Sequence, residues 1–137
     1  MKYKYEEFIS NYEDCTIFTC APENRIAYRW TFNSIKNINN FTPRYLTSAY
    51  EHLPKKDCVG YSLSMFDNEH MATKRLDDIC ARKKLLYKKL GTHLSKGVIK
   101  ENDGVCSKSD VNGHFSFFEA EGVDLSCSFS VIKQLMP

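Results

Sequence analysis

The sequence predicts a single α+β domain spanning residues 1–137, a mainly antiparallel sheet packed on one long amphipathic helix and ending in a C-terminal β-hairpin. Three observations predict it. RIAYRWTF, residues 25–32, places Ile26, Tyr28, Trp30 and Phe32 on one phase of a period-two pattern, against Arg25, Ala27, Arg29 and Thr31. Residues 67–90 carry an apolar stripe at helical spacing, namely Ala72, Leu76, Ile79, Cys80, Leu86, Tyr87 and Leu90. HFSFFE and VDLSCSFSVI, in residues 114–132, read as two strands joined around Ala120–Gly122.

The remaining elements follow in order. KYEEFISNY suits a short N-terminal helix, and CTIFTC (15–20) a strand, with turn residues APEN (21–24) after it. Residues 33–57 are rich in Asn and contain two prolines, which predicts a long loop with a helical turn near 46–52. VGYSLSMF (59–66) alternates as a strand. Asp67 is then placed to cap the long helix and Gly91 to stop it. THLSKGVIK (92–100) reads as a strand and ENDGVCSKSDVNG (101–113) as a loop. No internal repeat or low-complexity segment is present.

A chain of 137 residues with 42% apolar and 13% aromatic residues is long enough to bury one core. No apolar run approaches the roughly 20 residues that span a bilayer, and MKYKYEEFISNYEDC lacks the apolar centre of a secretion signal. A cytoplasmic protein with no membrane partner is therefore expected. The six cysteines form no Cys-x-x-Cys pair, so no metal site is expected, and buried reduced thiols are preferred to disulfides.

The charge is uneven. Residues 74–100 carry nine basic residues against Asp77 and Asp78, a net +7, whereas the rest of the chain is −5. Lys74, Arg75, Arg82, Lys84 and Lys88 on this segment could track a phosphate backbone or an acidic partner, or form a solvated helix face. Lys83 falls inside the apolar stripe, where it either snorkels to water or has a functional role.

Three polar patches recur in order: Arg29 on a strand, Ser62-Leu63-Ser64 on a later strand before a helix, and Glu119-Ala120-Glu121 at the end of a third. That order resembles the Arg, Ser-x-Ser, Glu-x-Glu pattern of the ADP-ribosyltransferase family. The resemblance implies NAD as the cofactor, with Arg29 holding a phosphate and Ser62 and Ser64 bracing the nicotinamide pocket. It implies Glu121 as the carboxylate beside the oxocarbenium-like transition state and Glu119 as the group that activates the acceptor. Breaking a glycosidic bond to nicotinamide needs such a carboxylate and an anchored pyrophosphate. The family's middle threonine is Leu63 here. Read from the residues alone, Glu119 and Glu121 are equally a polar hairpin corner before Gly122. Tyr28, Trp30 and Tyr61 line either a ligand pocket or the core.

Two functions are thus expected as alternatives. One is a small NAD-using toxin or effector, with an unidentified macromolecular acceptor and the 33–57 loop over its cleft. The other is a non-catalytic interaction module, such as a phage-defence or antitoxin-like adaptor, binding protein or nucleic acid through the basic segment 74–100. A small nuclease using Arg82, Lys83 and His93 rests on charge alone.

Overall fold

The computed structural model describes residues 1–137. Six strands form one sheet: β1 (Arg25–Thr31), β2 (Leu63–Phe66), β3 (His93–Ile99), β4 (Gly104–Cys106), β5 (His114–Glu119) and β6 (Phe129–Gln134). Their order is β4-β5-β2-β1-β3-β6, and every pairing is antiparallel. The helices are α1 (Glu6–Ile9), α2 (Glu69–Arg82) and α3 (Tyr87–Leu90), with short 3-10 turns between. The α+β class holds, and no helix is long and apolar enough to cross a membrane.

Both faces of the sheet are covered. Ala27, Leu63, Met65, Phe115 and Phe117 point to one face, where Ile99, Leu125 and Phe129 complete the main core. The Tyr28 and Trp30 phase points to the other, against Phe66, Leu94 and Ala72 of α2. The Trp30 indole N–H donates to the Ala72 carbonyl at 2.9 Å, fixing helix to sheet. Beside α2 on that face, α1 and the 43–58 loop pack Ile9, Tyr45, Cys58 and Tyr61 onto Phe118 and Val105. Apolar alternation in 25–32 therefore marked the helix face, while small and polar residues on the opposite phase, Ala27 and Thr31, are fully buried. Ile26, expected in the apolar face, is 50% exposed because α2 does not extend over it.

Several expectations are corrected. The long helix is two pieces. α2 begins with Asn68, whose side chain accepts from the Met71 N–H at 2.8 Å, and it ends at Lys83, which leaves helical geometry. Asp67 instead pairs with Arg25. Lysines at positions 84 and 88 are like charges one turn apart, which disfavours a continuous helix there. Lys83 lies outside the stripe and is exposed. Gly91 does stop the segment: its φ is 138°, and a Cβ would stand 2.8 Å from the Thr31 nitrogen.

The C-terminal hairpin is absent. β5 already has β4 and β2 as neighbours, so the chain after Gly122 crosses to the far edge and pairs as β6 with β3. Leu125–Cys127 form a 3-10 turn capped by Asp124, whose carboxylate accepts from the Ser126 N–H. The hairpin that exists is β4–β5, within a segment expected to begin as loop. CTIFTC holds a 3-10 turn, Thr16–Thr19, rather than a strand. The preference for reduced thiols is overturned at two positions: Cys15 and Cys58 form a disulfide, whereas Cys20, Cys80, Cys106 and Cys127 are free.

Candidate active site

β1 and β5 flank β2, and both run antiparallel to it. The C-terminal ends of β1 and β5 therefore lie at one end of the sheet, beside the start of β2. Arg29, Ser62, Ser64 and Glu119 occupy that end. β1 and β2 share a single registered pair, Tyr28 and Phe66, and then separate. Arg29 fills the opening. Its Nε donates to the Asn40 carbonyl and its Nη1 to the Ser64 carbonyl, each at 2.7 Å. Nη2 makes no hydrogen bond within the chain.

Asn40 comes from the 33–57 loop and is buried at 1% exposure. It accepts from the Phe32 N–H and donates to the Ser34 carbonyl, so it ties the loop to the end of β1. Thr31 and Ser95 bury their hydroxyls beside Arg29 at an O–O distance of 2.5 Å. No sequence pattern singled out these three residues. A buried Asn, Thr and Ser in an Asn-rich loop and on two strand phases resemble ordinary surface polarity until the strands are paired.

Alternation along β1 and β5 puts Arg29 and Glu119 on the same face as Ala27, Phe115 and Phe117. Glu119 is 3% exposed. Its Oε2 accepts from the Lys4 Nζ at 2.7 Å, and its Oε1 is buried without a partner. Burial raises the Glu119 carboxyl pKa, opposed by Lys4 and Arg29. Arg29 as a residue is partly exposed, but its guanidinium is buried, and loss of solvent lowers its pKa to about 10, partly offset by the Glu119 charge.

The two glutamates do not face the same way, as an extended segment requires. β5 ends at Glu119, and Gly122, at φ 83°, turns the chain. The Glu121 side chain is 59% exposed and stands 3.7 Å from Lys2. Main-chain bonds attach the N-terminal arm here, from the Lys4 N–H to the Glu119 carbonyl and from the Glu121 N–H to the Lys2 carbonyl. An open groove of about 520 Å³ runs along this junction, lined by Lys2, Tyr3, Lys4, Glu6 and Glu121 among others. The Ser62 hydroxyl donates to the Val59 carbonyl at 2.6 Å and braces the turn into β2. Ser64 contributes its carbonyl to Arg29, while its side chain faces Ser116 across the strand pair.

The orphaned carboxylate oxygen and the free Nη2 fit a ligand with a polar ribose and an anionic pyrophosphate. The Ser62 hydroxyl is committed to the Val59 carbonyl and braces the turn, whereas Ser64 contributes only its carbonyl, its side chain lying on the sheet face opposite Arg29 and Glu119. Tyr61 is buried against Phe8, Tyr12 and Tyr45, and is core.

The basic segment resolves into two parts. On α2, Lys74 and Arg75 stand among Glu69, Asp77 and Asp78, and Lys74 is paired with Asp78 at 2.8 Å. Positive charge concentrates instead in Arg82, Lys83, Lys84, Lys88 and Lys89, all exposed and none in an ion pair. No family model, no curated protein and no solved structure matches the chain.

Proposed function

We propose that the protein is a small NAD-using transferase of the ADP-ribosyltransferase type, acting as a toxin or effector on a macromolecular acceptor. One observation carries the reading. Three patches far apart in sequence, Arg29, Ser62–Ser64 and Glu119, lie on three adjacent strands at the same end of the sheet. In this reading Arg29 contacts a phosphate of NAD through its free Nη2, and the Asn40 loop covers the site.

Glu119, rather than Glu121, is the carboxylate at the ribose. It shares a sheet face with Arg29 and presents an unpartnered oxygen, whereas Glu121 lies outside with Lys2. The glycosidic bond breaks with its electron pair going to nicotinamide, which leaves neutral. The carboxylate stabilises the developing positive charge at the ribose. The acceptor then bonds to that carbon, and its proton passes to a base or to water. Glu121, at the rim of the N-terminal groove, is placed to meet the acceptor. Here the expected roles of the two glutamates are exchanged.

The test is incubation with adenylate-labelled NAD and a bacterial lysate, comparing wild type with Glu119→Gln. Label on a macromolecule, absent with the variant, is the expected result. Absence of label together with absence of NAD binding by calorimetry rejects the reading. A second reading, a non-catalytic interaction module, is favoured by the unpaired cations of 82–89, which bind a partner without any chemistry.

A further inference from the structure

We infer that the acceptor is a nucleic acid, held by a basic knuckle formed by Arg82, Lys83, Lys84, Lys88 and Lys89; the word acceptor rests on the transferase reading, the binding does not. The topology places this knuckle. α2 starts beyond the C-terminal end of β2 and runs back along the sheet for about 21 Å. It ends where α3 leads into β3. The Thr92 N–H donates to the Thr31 carbonyl at 2.9 Å, and His93 is paired with Thr31. Thr31 is two residues from Arg29, so the knuckle emerges at the end of the sheet that carries Arg29 and Glu119.

Its chemistry selects the partner. Five cations occur within eight residues, all exposed and none neutralised within the chain. From Ile79 to Lys100 there is no acidic residue. Four of the five are lysines, a residue depleted from protein–protein interfaces, whose centres are apolar. The only large apolar side chain largely exposed among them is Leu85, at 62%. A row of flexible point charges without an apolar anchor suits a phosphate backbone, which it neutralises one phosphate per cation while releasing counterions. The α2 face cannot serve equally, because its Lys74 and Arg75 stand among three carboxylates, Glu69, Asp77 and Asp78.

Binding is read without NAD, by fluorescence anisotropy of labelled single-stranded RNA and DNA of mixed sequence with the full chain. Five phosphate contacts predict a roughly 100-fold loss of affinity between 50 and 200 mM salt. Lys83→Ala, Lys84→Ala, Lys88→Ala and Lys89→Ala combined should abolish binding at 50 mM salt, while its circular dichroism and melting stay as in wild type. Lys74→Ala, which removes a charge already paired with Asp78, should leave binding unchanged. Binding that survives the fourfold change, or no binding at 50 mM salt, overturns the inference. So does a preference for an acidic polypeptide, poly-glutamate, over both nucleic acids. The two readings fail separately. Nucleic-acid binding without label transfer from NAD removes the transferase and leaves the knuckle's role. Transfer to protein without nucleic-acid binding does the reverse.

Discussion

Arg29 and Glu119 share one face of the sheet on strands separated only by β2, and they form no ion pair with each other. Arg29 is held by two carbonyls and Glu119 by Lys4, which leaves one polar atom on each side without a partner. Opposite charges close enough to shift each other's protonation, yet not joined, mark a place where a polar group is held ready in the interior.

The first prediction concerns Arg29 as a structural splint. Arg29→Met leaves the Asn40 and Ser64 carbonyls without their charged donor, where β1 and β2 no longer pair. A hydrogen bond to a charged group contributes about 1.5–3 kcal/mol, and an orphaned buried acceptor costs a similar amount. Urea unfolding should show a loss of about 3 kcal/mol. Arg29→Lys, which cannot span both carbonyls, should fall between. A loss below about 0.5 kcal/mol contradicts this placement.

The second uses the raised pKa of Glu119. A carboxyl that binds its proton more tightly folded than unfolded contributes stability at low pH. That contribution is lost as pH rises from the unfolded value, near 4.5, through the raised folded value, and is then constant. The stability of wild type relative to Glu119→Gln should therefore fall across that window and level off above it. Melts in matched buffers from pH 4 upward read the difference directly. A rise over the same window shows that Lys4 outweighs burial.

The third concerns the disulfide. Cys15 and Cys58 are 43 residues apart and tie the segment after α1 to the turn before β2. On the chain-entropy account such a closure contributes about 4 kcal/mol. Reductant should lower the urea midpoint of wild type. The doubly substituted Cys15→Ser, Cys58→Ser protein should start at that lower midpoint and ignore reductant. If both proteins respond alike, the bridge does not form in solution.

A fourth concerns packing across the β3–β6 pair. Gly97 is opposite Phe129, and a Cβ at Gly97 would stand 2.4 Å from the Phe129 ring. Phe129 is 3% exposed and cannot swing into solvent without opening the core. Gly97→Ala should cost about 1–3 kcal/mol by calorimetric melting. Gly122→Ala meets no atom within 4 Å and reads only the cost of its positive φ.

How far the sequence reaches depends on whether a signal is local. Period-two alternation in 25–32 reports a strand between two different environments, and β1 forms there, as β3 does within THLSKGVIK. Gly91 marks a true stop because its φ is one that side chains avoid. Pairing is not local: nothing in HFSFFE states that both its edges are taken, so an adjacent alternating run looked like its hairpin partner. The same limit hid the site. Arg29, Ser64 and Glu119 were visible as residue types in order, but Asn40, Thr31, Ser95 and Lys4 gain their roles only when the loop and the N-terminal arm fold over the strand ends. The divergence of Glu119 and Glu121 follows from where β5 stops, which Gly122 hinted at and the Phe-Phe-Glu run obscured.

The central claim is that Glu119, and not Glu121, acts on the ribose of NAD beside Arg29. Release of free nicotinamide from NAD by wild type, Glu119→Gln and Glu121→Gln, each shown to be folded, tests it most directly. The account predicts measurable release by wild type and a loss of at least about 100-fold for Glu119→Gln, with Glu121→Gln within fivefold of wild type. Release that persists in Glu119→Gln, or that disappears only in Glu121→Gln, contradicts it.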